Sequence, residues 1–198
     1  MAIQITDKAA CSGCTACESI CPKDAIVMQP DVLGFLFPVV NKEKCVDCGA
    51  CERVCPFNDD YDKTFNLPTP DVYGGRHKNM AEVETSRSGA AFIAISDWIL
   101  EHGGIVYGAG FAEHFRVVHK RACTKAERYE FKGSKYVQSD LRGVFRQVKQ
   151  DLKDGRIVLF SGTPCQTAEL ASFIGRGDLR EKLYLVDLVC HGVPSPAV

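Results

Sequence analysis

The residues with the most chemistry in them are cysteines, eleven in a chain of 198. Cys11, Cys14, Cys17 and Cys21 followed by Pro22 form a C-x2-C-x2-C-x3-C-P run, and Cys45, Cys48, Cys51 and Cys55 followed by Pro56 repeat it. Three thiolates at steps of three along a tight loop can cap three irons of one 4Fe-4S cubane, while the fourth, on the following turn, points away and serves the other cluster. On that crossed scheme Cys11, Cys14, Cys17 and Cys55 hold one cluster, and Cys45, Cys48, Cys51 and Cys21 hold the second. A structural zinc site pairs two cysteines with two distant ligands and has no place for a third at the next x2 step. Disulfides require an oxidising compartment, and Met1 to Asp7 lacks the basic and apolar regions of a signal peptide, so the expected location is the cytoplasm. Pro22 and Pro56 fix φ and bend the chain away from the cluster, and Gly13 and Gly49 relieve crowding where backbone approaches sulfide.

The elements that position these ligands follow from the pattern around them. Residues 1–60 read as a ferredoxin-like α+β module with two clusters. Its short strands, over 25–28 and 35–40, are expected to cover the clusters and keep water from the sulfides. Residues 61–70 read as a linker ending in Pro68 and Pro70, and 71–198 as an α/β domain with a mostly parallel sheet. Strands are expected at Val72–Gly74, Ile105–Gly108, Phe115–Val118, Ile157–Phe160 and Leu183–Val186, the last two buried on both faces. A helix opens after Ser86-Arg87-Ser88-Gly89 and runs through Phe92, Ile95 and Ile99 to a stop at Gly103-Gly104. Leu141, Val144, Phe145, Val148 and Leu152 line one face of another.

After the fourth of these strands, Thr163 is a good N-cap, Pro164 suits the first helical position, and Cys165 sits in the first turn, where amide hydrogens and the helix dipole favour a thiolate or a nearby anion. After the fifth come Cys190 and His191, at the sheet edge where open α/β sheets bind ligands. His191 alone reads equally as a surface histidine or a site residue, and Cys123 as a small core residue. The formal net charge of −1 exerts no global pull toward nucleic acid or a membrane, and no apolar run reaches the roughly 20 residues of a membrane span. Locally, residues 1–60 carry nine acidic against five basic side chains, an acidic docking face for a redox partner. Residues 71–198 carry 18 basic against 15 acidic, with seven lysines and arginines between Arg116 and Lys135. A basic run is usually a solvated face, but this balance would suit a phosphate-bearing cofactor, and Gly133-Ser134-Lys135-Tyr136 offers amide, hydroxyl and ammonium donors.

Four motifs in order, Ser-Arg-Ser-Gly (86–89), Gly-Ser-Lys-Tyr-Val-Gln (133–138), Ser-Gly-Thr-Pro-Cys-Gln (161–166) and Val-Asp-Leu-Val-Cys-His-Gly-Val-Pro-Ser-Pro (186–196), resemble the coenzyme F-420 hydrogenase/dehydrogenase beta subunit family. The resemblance implies an oxidoreductase in which a flavin domain, typically holding FAD, is wired to iron–sulfur clusters and exchanges hydride with F-420 or another small-molecule carrier. It implies Ser88, Gly89, Gly133, Ser134, Lys135, Tyr136, Thr163, Gln166 and His191 around the flavin. Cys165 is a redox group, or shares with Cys190 the ligation of a third 4Fe-4S cluster in a longer chain. The family domain continues past its last motif whereas this sequence stops at Val198, so the flavin domain is expected to be incomplete. The rival reading is an electron carrier or adaptor without flavin that docks to a partner enzyme.

Overall fold

The computed structural model describes residues 1–58 and 69–197. Of the expected linker, 61–70, residues 61–68 therefore lie outside the described residues. The first half contains α1 (Ala16–Ile20), β1 (Ile26–Pro30), β2 (Leu36–Val40) and α2 (Ala50–Arg53). β1 and β2 pair antiparallel, Ile26 opposite Val40 and Pro30 opposite Leu36. Strand alternation sends Ile26 and Met28 inward, where they pack with Ile3, Cys17 and Cys51, and sends Val27 outward. The strands thus cover the cysteines, as their position between the motifs led us to expect.

The second half adds α3 (Met80–Thr85), α4 (Ala91–Glu101), β3 (Ile105–Phe111), β4 (Val117–Ala122), α5 (Lys125–Arg128), α6 (Val144–Lys153), β5 (Val158–Gly162), α7 (Pro164–Ile174), α8 (Asp178–Glu181) and β6 (Leu183–Asp187). The sheet is mixed, in the order β4-β3-β5-β6: β3, β5 and β6 run parallel, and β4 turns back antiparallel on β3. Ile105, Tyr107, Val158 and Phe160 face α6 and α7, while Val106 and Leu159 pack with Ile99 of α4 and with Phe131. Gly108 is required on the second face, since a Cβ there would lie 2.7 Å from the Phe131 ring.

Four expectations change. Val72–Gly74 is not a strand: it pairs with none of the described strands, and Val72 and Tyr73 are 92% and 86% exposed, so neither a ladder nor burial holds them extended. The strand placed at 115–118 begins at Val117, because Phe115 belongs to the tight turn from β3, where His114 and Phe115 both have positive φ. β5 is buried on both faces, but β6 is an edge strand whose Tyr184 is 44% exposed, so its apolar run marks one covered face only. Cys123, read as a core residue, is exposed, its sulfur accepting from Arg121 at 2.7 Å.

The two halves share a core. Ala16 and Val54 of the first half lie in the same cluster as Phe145, Val148, Phe160 and Leu170. Polar contacts reinforce the junction: Arg146 of α6 donates to the Ser19 carbonyl at 2.8 Å and to Asp24 Oδ1 at 2.7 Å, and Thr15 Oγ1 donates to the Leu141 carbonyl at 3.3 Å. Phe145 has no solvent exposure and lies 5.8 Å from Phe173 and 6.1 Å from Phe160, ring to ring. Phe145→Ala should cost about 3–5 kcal/mol. Because the core is common, urea melts followed by far-UV dichroism and by cysteine-ligand absorbance should shift together. A chain with independent halves would lose the sheet early and leave the cysteine chromophore's midpoint unmoved.

Candidate iron–sulfur site and adjoining cleft

Each cysteine motif needs two left-handed backbone positions, and the pair recurs thirty-four residues on. Gly13 (φ 66°) and Thr15 (φ 71°) in the first correspond to Asp47 (φ 51°) and Gly49 (φ 69°) in the second. Glycine thus occupies one of the two positions in each repeat, but not the same one, so Gly13 and Gly49 are not equivalents. At Gly13 close approach adds to the need, since a Cβ would lie 2.9 Å from the Leu36 carbonyl oxygen. Thr15 and Gly49 are the caps from which α1 and α2 start, turning Cys17 and Cys51 inward.

The cysteines surround two hollows, and each hollow draws on both motifs. Cys11, Cys14, Cys17 and Cys55 line one, with Met28, Phe57 and Glu169; Cys21, Cys45, Cys48 and Cys51 line the other, with Pro22 and Gly49. Among the described residues no three His, Cys, Asp or Glu side chains converge on a single-ion site. Backbone amides point at cysteine sulfur in both groups, from Ala16 to Cys14 at 3.4 Å, from Ala25 to Cys21 at 3.3 Å and from Ile3 to Cys51 at 3.3 Å. Such N–H···S bonds are a means of tuning cluster potential. Four thiols, glycine-relieved turns and amide donors around each space fit a cubane.

The hollows differ in burial. Desolvation pushes the Cys17 thiol up to about 12 and the Cys14 thiol well above its ordinary value. Protein alone does not favour thiolates here; the positive charge of bound iron would have to supply that. Cys48 is exposed. Among the described residues Glu169, from α7, is the only acidic side chain lining the first hollow; burial raises its carboxyl to about 7 against the opposing Ser12 hydroxyl and Cys14 thiol.

Beside the first hollow lies a cleft of about 800 Å³ at the carboxyl ends of β3, β5 and β6. Its walls include Ser88, Gly133, Ser134, Lys135, Thr163, Cys165, Gln166 and Cys190. Cys11 and Ser12 line this cleft as well as the first hollow. Ser88, Gly89 and Ala90 are three successive left-handed residues leading into α4. The strain that Ser88 and Ala90 carry bunches backbone at the cleft wall. The basic run is mostly neutralised within the fold: Lys120 pairs with Glu130, Arg121 with Asp151, Lys125 and Arg128 with Asp97, and Lys132 with Glu82. Arg87 and Lys135 face the cleft without a carboxylate partner among the described residues; Lys135 instead donates to the carbonyls of Glu130, Lys132 and Gly133.

Other expected site residues fall differently. Gly89, Tyr136 and His191 are not in the lining. Gly89 holds the turn, its carbonyl accepting from His77 N–H at 2.8 Å, and Tyr136 and His191 are exposed because extended backbone points alternate residues outward. Thr163 and Gln166 form a capping box, and the Gln166 amide is used within the protein, accepting from Thr163 N–H and donating to Ser139 Oγ, each at 3.0 Å. The Cys165 thiol is raised, not lowered: burial outweighs the Thr163 hydroxyl 3.1 Å away.

His119 is the wall residue that sequence reading passed over. It is 7% exposed and its ring stacks on Phe160 at 4.9 Å. The Ser161 carbonyl, 2.9 Å from Nε2, can only accept, so Nε2 carries the proton; Nδ1 is a buried acceptor with no partner among the described residues. In sequence it lies within the basic run, and only the sheet register, opposite Ala109, brings it to the cleft. Burial holds its pKa down to about 4 from 6.5, so the unfolded chain takes up the proton first and the neutral ring's contribution is lost as pH falls through that interval. Between pH 7 and 5 the unfolding free-energy difference between wild type and His119→Gln should shrink by about 2 kcal/mol. Parallel pH profiles in denaturant titrations would contradict this placement.

Comparison with known proteins bears on the first half. The profile of one family, described as a 4Fe-4S dicluster domain, matches residues 10–58. No match is found among curated proteins. Among the described residues no helix is long and apolar enough to cross a membrane. The N-terminal part of the chain is a 4Fe-4S dicluster domain, and with it comes iron–sulfur electron transfer.

Proposed function

We propose that the chain is an iron–sulfur flavoprotein oxidoreductase, with FAD in the cleft, a small-molecule hydride carrier such as F-420 as its substrate and a redox protein or enzyme subunit as its one-electron partner. The observation that carries this reading is the shared wall: Cys11 and Ser12 border both the first cysteine hollow and the cleft. A cleft that touches a cluster ligand suits an occupant that exchanges electrons with it. When bound, the flavin would exchange a hydride as an electron pair and the clusters would carry single electrons.

The chain's own residues have identifiable tasks in this reading. Cys11, Cys14, Cys17 and Cys55 hold one cluster and Cys21, Cys45, Cys48 and Cys51 the other, in keeping with the grouping around the two hollows. Arg87, Lys135 and the backbone N–H groups entering α4 supply positive potential for a pyrophosphate. His119 Nδ1 accepts from an N–H or O–H of the cofactor. Ala109, Ile93 and Phe92 offer the apolar surface on which a ring system can rest. Cys165 and Cys190 border the same cleft, so a redox role beside the flavin and shared ligation of a third cluster both place their chemistry there.

Anaerobically purified protein should contain about eight irons and eight acid-labile sulfides per chain, with about one FAD released on denaturation. Intact clusters without flavin would favour the electron-carrier or adaptor reading; zinc without sulfide would remove the electron-transfer reading itself. Cys55→Ser should alter the paramagnetic signal of the cluster that Cys17→Ser also alters. Pairing of Cys55 with Cys51 in that comparison would refute the crossing.

A further inference from the structure

A buried carboxyl group is costly unless both oxygens find partners. Glu169 of α7 has no solvent exposure, and only one of its oxygens is paired. Oε1 accepts from Ser12 Oγ, in the turn between Cys11 and Cys14; Oε2 has no hydrogen-bond partner among the described residues, and the carboxyl lies against the Cys14 thiol. Among the described residues Glu169 is also the one residue of the second half that lines the hollow of Cys11, Cys14, Cys17 and Cys55. The hollow of Cys21, Cys45, Cys48 and Cys51 is lined, among the described residues, wholly from within residues 2–51. The two sites therefore differ in one contribution from the α/β half.

We infer that Glu169 is a positioning residue for the first cluster: it fixes the Cys11–Cys14 turn through Ser12 and sets that cluster's reduction potential below the value the cysteines alone would give. The inference rests on the cluster reading above. Packing gives little reason to bury a carboxyl at this point, since Leu170, Phe173 and Ile174 already seat α7 in the core. A carboxyl oxygen directed at the group held by four thiolates opposes the addition of an electron. An amide in its place offers N–H donors to sulfur where the carboxyl presents an acceptor oxygen, and that change eases reduction.

Glu169→Gln and Glu169→Ala, made in the full chain, separate this role from simple filling of space. Iron, sulfide and redox titrations followed by visible absorbance and paramagnetic resonance are the readouts. Glu169→Gln should keep about eight irons and move one midpoint potential upward while the other stays. The wave that moves should be the one retained by Cys48→Ser, which lacks a ligand of the second hollow. Glu169→Ala, which frees the turn, should lose iron toward about four per chain, with the second cluster's signal retained. Loss of the same cluster in Glu169→Gln, with the fold intact by dichroism, also supports the assignment. Both potentials unchanged in Glu169→Gln overturns it, whatever Glu169→Ala does. Wild-type protein without iron and sulfide would overturn the cluster reading and this inference together.

Discussion

The contact on which the rest of the molecule depends is the packing of the first cysteine motif against α6 and α7. A module of some sixty residues buries too little apolar surface to be secure alone, and one that must also enclose two cofactor spaces has less still. Here Ala16 and Val54 join the hydrophobic cluster of Phe145, Val148 and Leu170, so the same side chains close the cysteine hollow and complete the sheet's lower layer. The bonds from Arg146 to the Ser19 and Cys21 carbonyls and from Thr15 to the Leu141 carbonyl hold the register of that packing. Burial at this junction contributes to the asymmetry of the two hollows: desolvation raises the Cys14 thiol, which packs against the shared core, whereas Cys48 in the other hollow is exposed.

What the sequence disclosed, and what it withheld, follows from which interactions are local. Cysteine spacing is local, and so are the capping box at Thr163 and Gln166 and the apolar stripe of α6; all could be read directly. The sheet's apolar strands were readable as strands, but their place in the order was not. Leu183–Val186 looks like Ile157–Phe160 in composition, yet one is an edge and the other central, and β4 reverses direction for reasons that lie in the turn at His114 and Phe115. Likewise nothing in the chain around His119 or Glu169 marks either as special. His119 reaches the cleft because it pairs opposite Ala109, and Glu169 reaches the cysteines because α7 packs on α1, contacts between residues far apart in sequence.

Charge gives the same lesson. Seven lysines and arginines between Arg116 and Lys135 invite an anion site, but a folded chain can spend positive charge on its own carboxylates, and most of these do. The cations left facing the cleft, Arg87 and Lys135, come from two separate motifs. Arg87 directly precedes the three successive left-handed residues that lead into α4, and Lys135 donates to the carbonyls of its own turn.

The central claim is that two iron–sulfur clusters occupy the two hollows, each held by three cysteines of one motif and one of the other, with the first wedged against the α/β half. An anaerobic crystal structure with anomalous data collected at the iron edge tests it most directly. The account requires four-iron peaks in both hollows, with Cys55 bonded to the cluster of Cys11, Cys14 and Cys17, and Cys21 to the other. Iron bound by four cysteines of a single motif, or peaks lying away from the α7 contact, would contradict it.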